Sequence, residues 1–129
     1  MVARQRGLSG ADRRKIAGFR RNAKGCRRSG EYLNEGRCYS QIGDLHSECN
    51  NPFRAARAYV RAAKAYRRAI KAELKKPVPG RHLDVVLLGE CMAYGYAAEA
   101  YKNKGRLFRP FSYWYDRRST ALSRQLGSK

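Results

Sequence analysis

Basic, small and bulky apolar positions each recur with a helical period along residues 53–75, and they do so on three separate sides. Arg54, Arg57, Arg61, Lys64, Arg68, Lys71 and Lys75 follow one another at three- and four-residue spacing. On an α-helix that spacing confines them to an arc of roughly 100°. Ala55, Ala58, Ala62, Ala65, Ala69 and Ala72 form a second stripe. Phe53, Ala56, Val60, Ala63, Ile70 and Leu74, flanked by Tyr59 and Tyr66, form a third. A single helix of ~24 residues thus has a charged, a small and a bulky side, with successive charges ~5 Å apart along its axis, close to the spacing of phosphates on a strand. Solvated helix faces normally mix signs, because like charges three or four residues apart repel. Glu73 is the only acid in this stretch. The stripe is therefore expected to be a polyanion-binding face.

The rest of the chain reads as helix too. Ile16, Phe19, Ala23 and Cys26 make a narrow apolar stripe in an arginine-rich helix that begins at Ser9. Tyr32, Leu33, Gly36, Tyr39 and Ile42 form the inward side of a second helix from about Gly30 to Ile42, with Gly43-Asp44 predicted to stop it and a polar loop to follow over 45–51. Asn50 or Asn51 is a capping residue for the triple-striped helix, and Pro52 suits its first turn. Pro77-Val78-Pro79-Gly80 breaks the pattern, and a mostly apolar helix runs from about His82 to Lys104. In that helix Gly89 and Gly95 offer close approach to a neighbour. Gly105 ends it, and Pro110 opens a last helix to about Leu126. No segment alternates with a period of two, so the fold class is all-α, about five helices in antiparallel hairpins. Residues 1–8 are expected to be a flexible basic arm, and 9–129 a single domain.

The segment Glu31 to Asp44 resembles the first helix and turn of a tetratricopeptide repeat, with Gly36, Tyr39 and Gly43 at that family's small, tyrosine and turn positions. Ala56, Val60 and Ala63 match the spacing of its second helix. Tyr94, Ala98, Tyr101 and Gly105, then Leu107 and Trp114, repeat the pattern. The departures are in spacing, since Gly43 and Gly105 lie 62 residues apart where the family repeats about every 34, and in Pro110 and Arg117, which replace small packing residues. The resemblance implies stacked helical hairpins with a concave binding surface, a short solenoid as the variant of the bundle.

Composition sharpens the functional expectation. The chain carries 29 basic against 10 acidic residues, a formal charge of +19. That excess costs stability by self-repulsion unless an anion compensates it, and nucleic acid is the commonest such partner. Arg outnumbers Lys 20 to 9, which favours bidentate phosphate recognition. Residues 1–30 hold +9 of the charge. A mitochondrial targeting segment has a similar composition, and a retained basic arm is the preferred reading. Neither a secretory signal nor a membrane span is expected. Cys26, Cys38, Cys49 and Cys91 lack paired metal-ligand spacing, so they are read as reduced core thiols of an intracellular protein, in the cytoplasm or nucleoid, with the mitochondrial matrix as the alternative.

Candidate chemistry follows the charge. The binding residues expected are the seven of the stripe, then Arg13, Arg14, Arg20, Arg21, Arg27 and Arg28 near the start, and the turn cations Lys102, Lys104, Arg106 and Arg109. Tyr94, Tyr96, Tyr101, Phe108, Phe111, Tyr113, Trp114 and Tyr115 are interleaved with these last cations. Most are assigned to the core, with Tyr113 or Tyr115 as candidate base contacts. His46 and His82 stand alone, and Asp84, Glu90 and Glu99 suit ion pairs or caps. No catalytic constellation, cofactor motif or metal cluster is recognisable. The expectation is a non-enzymatic protein without cofactor that binds nucleic acid, RNA before DNA, in a ribonucleoprotein assembly such as a ribosome. Two alternatives stay open: a repeat-like adaptor or chaperone for an acidic partner, and a viral or phage nucleoprotein or coat subunit. Other protein subunits, or self-association through the alanine stripe, are further partners to consider.

Overall fold

The triple-striped segment forms the central helix of the molecule. The computed structural model describes residues 8–75, 83–102 and 109–127, which form α1 (Gly10–Arg28), α2 (Tyr32–Glu48), α3 (Pro52–Leu74), α4 (Leu83–Lys102) and α5 (Arg109–Gly127). Among these residues there is no strand, and each helix packs chiefly on its neighbours in the chain. The fold is all-α. Residues 1–7 of the expected arm lie outside the described residues. Leu8, which had been placed in that arm, packs on the core formed by Ile16, Ile42 and Ala58.

Local signals set the helix ends. The Ser9 hydroxyl accepts the Asp12 amide at 3.0 Å, and the Asn51 side chain accepts the Arg54 amide at 3.4 Å, with Pro52 in the first turn. Both tight connections turn through a left-handed residue: Gly30 at φ 77° between α1 and α2, and Asn50 at φ 57° between α2 and α3. Glycine has no Cβ to resist that conformation, and asparagine tolerates it better than most.

Two tyrosines fix the register of three helices. On the α2 side, the Tyr59 ring lies over Gly43 and the Tyr66 ring over Gly36, so close that a Cβ at either glycine would sit 2.6 Å from a ring carbon. On the α4 side, Tyr66 faces Gly89, and Tyr59 meets Tyr96 with ring centroids 5.3 Å apart. Partners seven residues apart on α3 thus meet partners seven residues apart, in reverse order, on both α2 and α4. Seven residues is nearly two full turns, so the contacts stack along one seam. The tyrosine hydroxyls are also engaged: Tyr59 donates to Asp44 Oδ1 at 2.6 Å, and Tyr66 lies 3.4 Å from the Ser40 hydroxyl.

This seam corrects the expected end of α2. Gly43-Asp44 does not stop the helix, which continues to Glu48 and takes in most of the segment read as loop. Glycine inside a helix costs up to about 1 kcal/mol, but here it admits a buried aromatic ring that any side chain would exclude.

The alanine stripe is covered within one copy of the chain. Ala55, Ala58, Ala62 and Ala65 are buried, Ala69 is half-buried, and only Ala72 is exposed. Ala62 and Ala63 join Tyr66, Ile70, Val86, Leu87, Ala93, Tyr94 and Leu122 in the largest core cluster. On α4, Gly89 does admit Tyr66, and Gly95 lies 3.3 Å from the Ser119 hydroxyl by the position of its would-be Cβ. Leu88 and Met92 on the same helix are exposed, as is Leu74 at the end of the bulky stripe of α3. Solvent takes them because α3 and α4 use their tyrosine–glycine seam as the shared face.

Candidate nucleic-acid interface

The basic stripe of α3 divides into two parts with different surroundings. Its first part faces α1 across a cleft. Arg54, Arg57 and Arg61 line one wall, and Arg20 and Lys24 of α1 line the other. The floor is α2, through Tyr39, Ile42 and His46, with Ala58 at the foot of the α3 wall. The cleft measures about 590 Å³, and no carboxylate among the described residues lines it. Arg20 and Lys24 come to this side because seven- and four-residue steps from Arg13 keep Arg13, Arg20 and Lys24 on one face of α1, next to the buried Ile16 and Ala23 that dock it. Two rings steady the opposite wall: the Arg57 guanidinium lies 5.9 Å from the Phe53 ring centre, and the Arg61 guanidinium 5.9 Å from that of Tyr39. Contacts of this kind hold a cation in place without neutralising it.

His46 is the residue that sequence reasoning passed over. It is only 4 % exposed, and its Nδ1 has no hydrogen-bond partner among the described residues. Burial pushes its imidazole below the ordinary pKa, and the nearby Arg54 and Arg20 push it further in the same direction. A neutral ring with an unused nitrogen therefore sits under five cations. The spacing of Tyr39, Ile42 and His46 could have revealed it, since three- and four-residue steps place them on one face, but only if α2 had been extended past Gly43.

The second part of the stripe is not uniformly free. Lys64, Lys71 and Lys75 are exposed. Arg68 instead donates to Glu35 Oε2 at 2.9 Å and lies over the Tyr32 ring at 5.7 Å. Glu35 is 1 % exposed, and Arg68 keeps 32 % of its side chain in solvent. Arg68 is thus the internal counter-charge of a buried acid, unlike the exposed cations on either side of it in the stripe. Leaving that buried carboxylate without its partner would be costly.

The other candidates are scattered. Arg13, Arg14, Arg27 and Arg28 are exposed on α1. Arg21 faces away from the cleft and shares the opposite groove between α1 and α2 with Arg37. Lys102 is exposed at the end of α4, and the tyrosine register sets it level with Phe53, near the Arg54 end of the stripe. Lys104 and Arg106 lie outside the described residues, and so do the side chain of Arg109 and the rings of Tyr101, Phe108 and Phe111. Of the remaining aromatics, Tyr94 is buried and stacks on half-buried Tyr115 at 5.7 Å. Tyr96, Tyr113 and Trp114 are exposed. Trp114, rather than Tyr115, is therefore the open ring beside Tyr113.

Of Asp84, Glu90 and Glu99, Glu90 is an ion-pair partner, Glu99 is exposed, and the side chain of Asp84 lies outside the described residues. Glu90 is 0 % exposed and meets Arg67 at 3.4 Å and Arg118 at 3.8 Å. Burial raises its pKa, against the opposing pull of Arg67 and then Arg118. The folded chain thus holds a proton on Glu90 at pH values where the unfolded chain has released it, and stability falls as pH rises through that raised pKa. Glutamine has no such titration and can still accept from the arginines. Glu90→Gln is expected to match the parent at or below the ordinary carboxylate value of 4.5 and to melt higher at pH 7, by on the order of 2–4 °C. Thermal melts at the two pH values check this, and a variant that melts lower at pH 7 would mean that the charge is an asset.

Among the described residues no group of three metal-ligand side chains occurs, and no helix is long and apolar enough to cross a membrane. The four cysteines are unpaired thiols. In comparisons with known proteins, no family model, no curated protein and no solved structure matches this chain.

Proposed function

We propose that the protein is a non-enzymatic, RNA-binding structural subunit of a ribonucleoprotein assembly such as a ribosome, and that it grips phosphates along the face formed by α1 and α3. One observation carries this reading. Five cations from two helices converge on a cleft that no described carboxylate lines, an arrangement that repels itself until an anion enters. The surplus of +19 has the same sense. RNA is preferred to duplex DNA because the stripe offers Arg and Lys but no outward-facing Asn or Gln for reading a major groove. The test is the salt dependence of affinity for a generic structured RNA. About five phosphate contacts give a slope near −4 in log affinity against log salt. An affinity that stays flat between low and high salt removes the proposal.

A second reading, the adaptor for an acidic protein, draws on a different surface. Leu88, Met92 and Tyr96 are exposed at four-residue steps along α4, a spacing that lines them up on one side of the helix. Within an assembly that stripe suits contact with another subunit. Replacing Leu88 and Met92 by Ser leaves the basic face intact, so a parent that binds no RNA, together with loss of a protein partner in that variant, would favour the adaptor over the phosphate grip.

A further inference from the structure

We infer that the cleft between α1 and α3 is a subsite for one unstacked nucleotide, its phosphate held between the two cationic walls and its sugar or base against the floor of α2. This rests on the phosphate-binding reading and narrows it from a surface to a pocket. A stripe of cations on a single helix can follow a backbone but cannot enclose anything. Here the second wall, Arg20 and Lys24, comes from another helix, and the space between is a concave volume of about 590 Å³. Volumes of ~300–1,000 Å³ are those of small-molecule sites.

The floor explains why more than an ion would fit. Tyr39 is half-buried with its ring beneath the Arg61 guanidinium, and Ile42 continues the apolar surface beside it. Single-stranded RNA is commonly held in this way, with splayed bases against aromatic rings or arginine planes and phosphates on cations. His46 supplies the polar element. It lines the floor with its Nδ1 enclosed and without a partner; a buried polar atom left unpaired costs free energy, which a turn of the ring toward the cleft and a ligand hydrogen bond would recover. Arg54 and Arg20 act directly on His46, and the other charged groups that share the cleft with it, Lys24 from α1 and Arg57 and Arg61 from α3, are cationic too. A phosphate placed among them offsets part of that positive field, so the imidazole should gain basicity on binding.

Beyond the cleft the stripe changes character. Arg68, the next residue of the stripe after Lys64 to face α2, is already held by Glu35. A strand leaving the cleft in that direction therefore meets a neutralised step, and the open cations beyond it are Lys71 and Lys75.

The experiment compares charge reversals on the full chain that change the formal charge equally. Lys24→Glu alters the α1 wall of the cleft, and Lys71→Glu alters the exposed stripe beyond it. Both residues are exposed, and circular dichroism confirms that the variants fold. Affinity is read by fluorescence anisotropy with a labelled single-stranded RNA octamer, with AMP as competitor. The expected result is a loss of about tenfold or more for Lys24→Glu and of about two- to threefold for Lys71→Glu, with AMP displacing the octamer. AMP binding as tightly as the octamer would identify the free nucleotide as the source of the phosphate, and a tighter octamer identifies the strand. In parallel, the imidazole proton resonances report the pKa of His46, assigned by its loss in His46→Gln, and it should rise when AMP is added. Equal losses for the two reversals, no displacement by AMP and an unmoved His46 would overturn the subsite while leaving the phosphate-binding face standing. No binding of the octamer by the parent at low salt would remove both.

Discussion

Reversing Arg57, Arg61 and Lys64 to Glu together is expected to lower RNA affinity by roughly 100- to 1,000-fold near 0.1 M salt, because three phosphate contacts at ~0.7–0.9 units of slope each account for that range. The change takes the formal charge from +19 to +13, since each reversal removes two units. The loss should be about the same for every RNA sequence, because phosphate contacts position a protein without reading bases. The fold should persist. All three residues are exposed on α3, away from the tyrosine seam, and replacing like-charge neighbours at helical spacing relieves repulsion. Arg68 is deliberately left out. Reversing it would set a second carboxylate against buried Glu35, and removing one partner of a buried pair costs ~3–5 kcal/mol, discounted here because Arg68 stays partly in water. An unfolded Arg68 variant would then be mistaken for lost binding. Helical content by circular dichroism and affinity by anisotropy decide the outcome. A folded triple variant that binds RNA at parental strength would shift the interface to the other cations of α1 and to Lys102.

The difference between the two arginines shows what the sequence could and could not reveal. The stripes of α3 were legible because a period of three and four is a local property, and the helix forms whatever it packs against. Arg61 and Arg68 are equivalent in that pattern. They differ only because Glu35, 33 positions away in the chain, is brought under one of them by the antiparallel register of α2 and α3. The cleft was hidden for the same reason. Arg20 and Lys24 look like any other cations of an arginine-rich helix until α1 docks through Ile16 and Ala23 and turns them toward α3. His46 was lost through a local error, the reading of Gly43-Asp44 as a helix stop. Glycine after an amphipathic run usually does end a helix. At Gly43 the tertiary contact with Tyr59 overrides that preference, and the glycines of α2 have to be read together with the tyrosines of α3.

That pairing makes the same substitution act with opposite signs at different glycines. Gly36→Ala is expected to destabilise the fold by about 1–3 kcal/mol, the usual cost of overpacking a buried site, even after the gain of up to ~1 kcal/mol that alanine brings to a helix. The added methyl would lie 2.6 Å from the Tyr66 ring, well inside van der Waals contact. The ring has little room to retreat, because Gly89 of α4 lies on its α4 side, where an added Cβ would stand 3.2 Å from the ring. Gly18 of α1 offers the control. A methyl there meets nothing within 4 Å, so Gly18→Ala keeps only the helix gain and should raise stability by up to ~1 kcal/mol. Thermal melts of the two variants should therefore fall on opposite sides of the parent, separated by on the order of 10 °C for a chain of this size. Trimming the ring opens the space that the methyl needs. In the background of Tyr66→Leu, already less stable for its lost packing, adding Gly36→Ala should cost much less than in the parent, a coupling that residues in contact show and distant ones do not. If Gly36→Ala melts at or above the parent, the tyrosine seam is not what sets α2, α3 and α4 in register, and the cleft built on that register loses its frame.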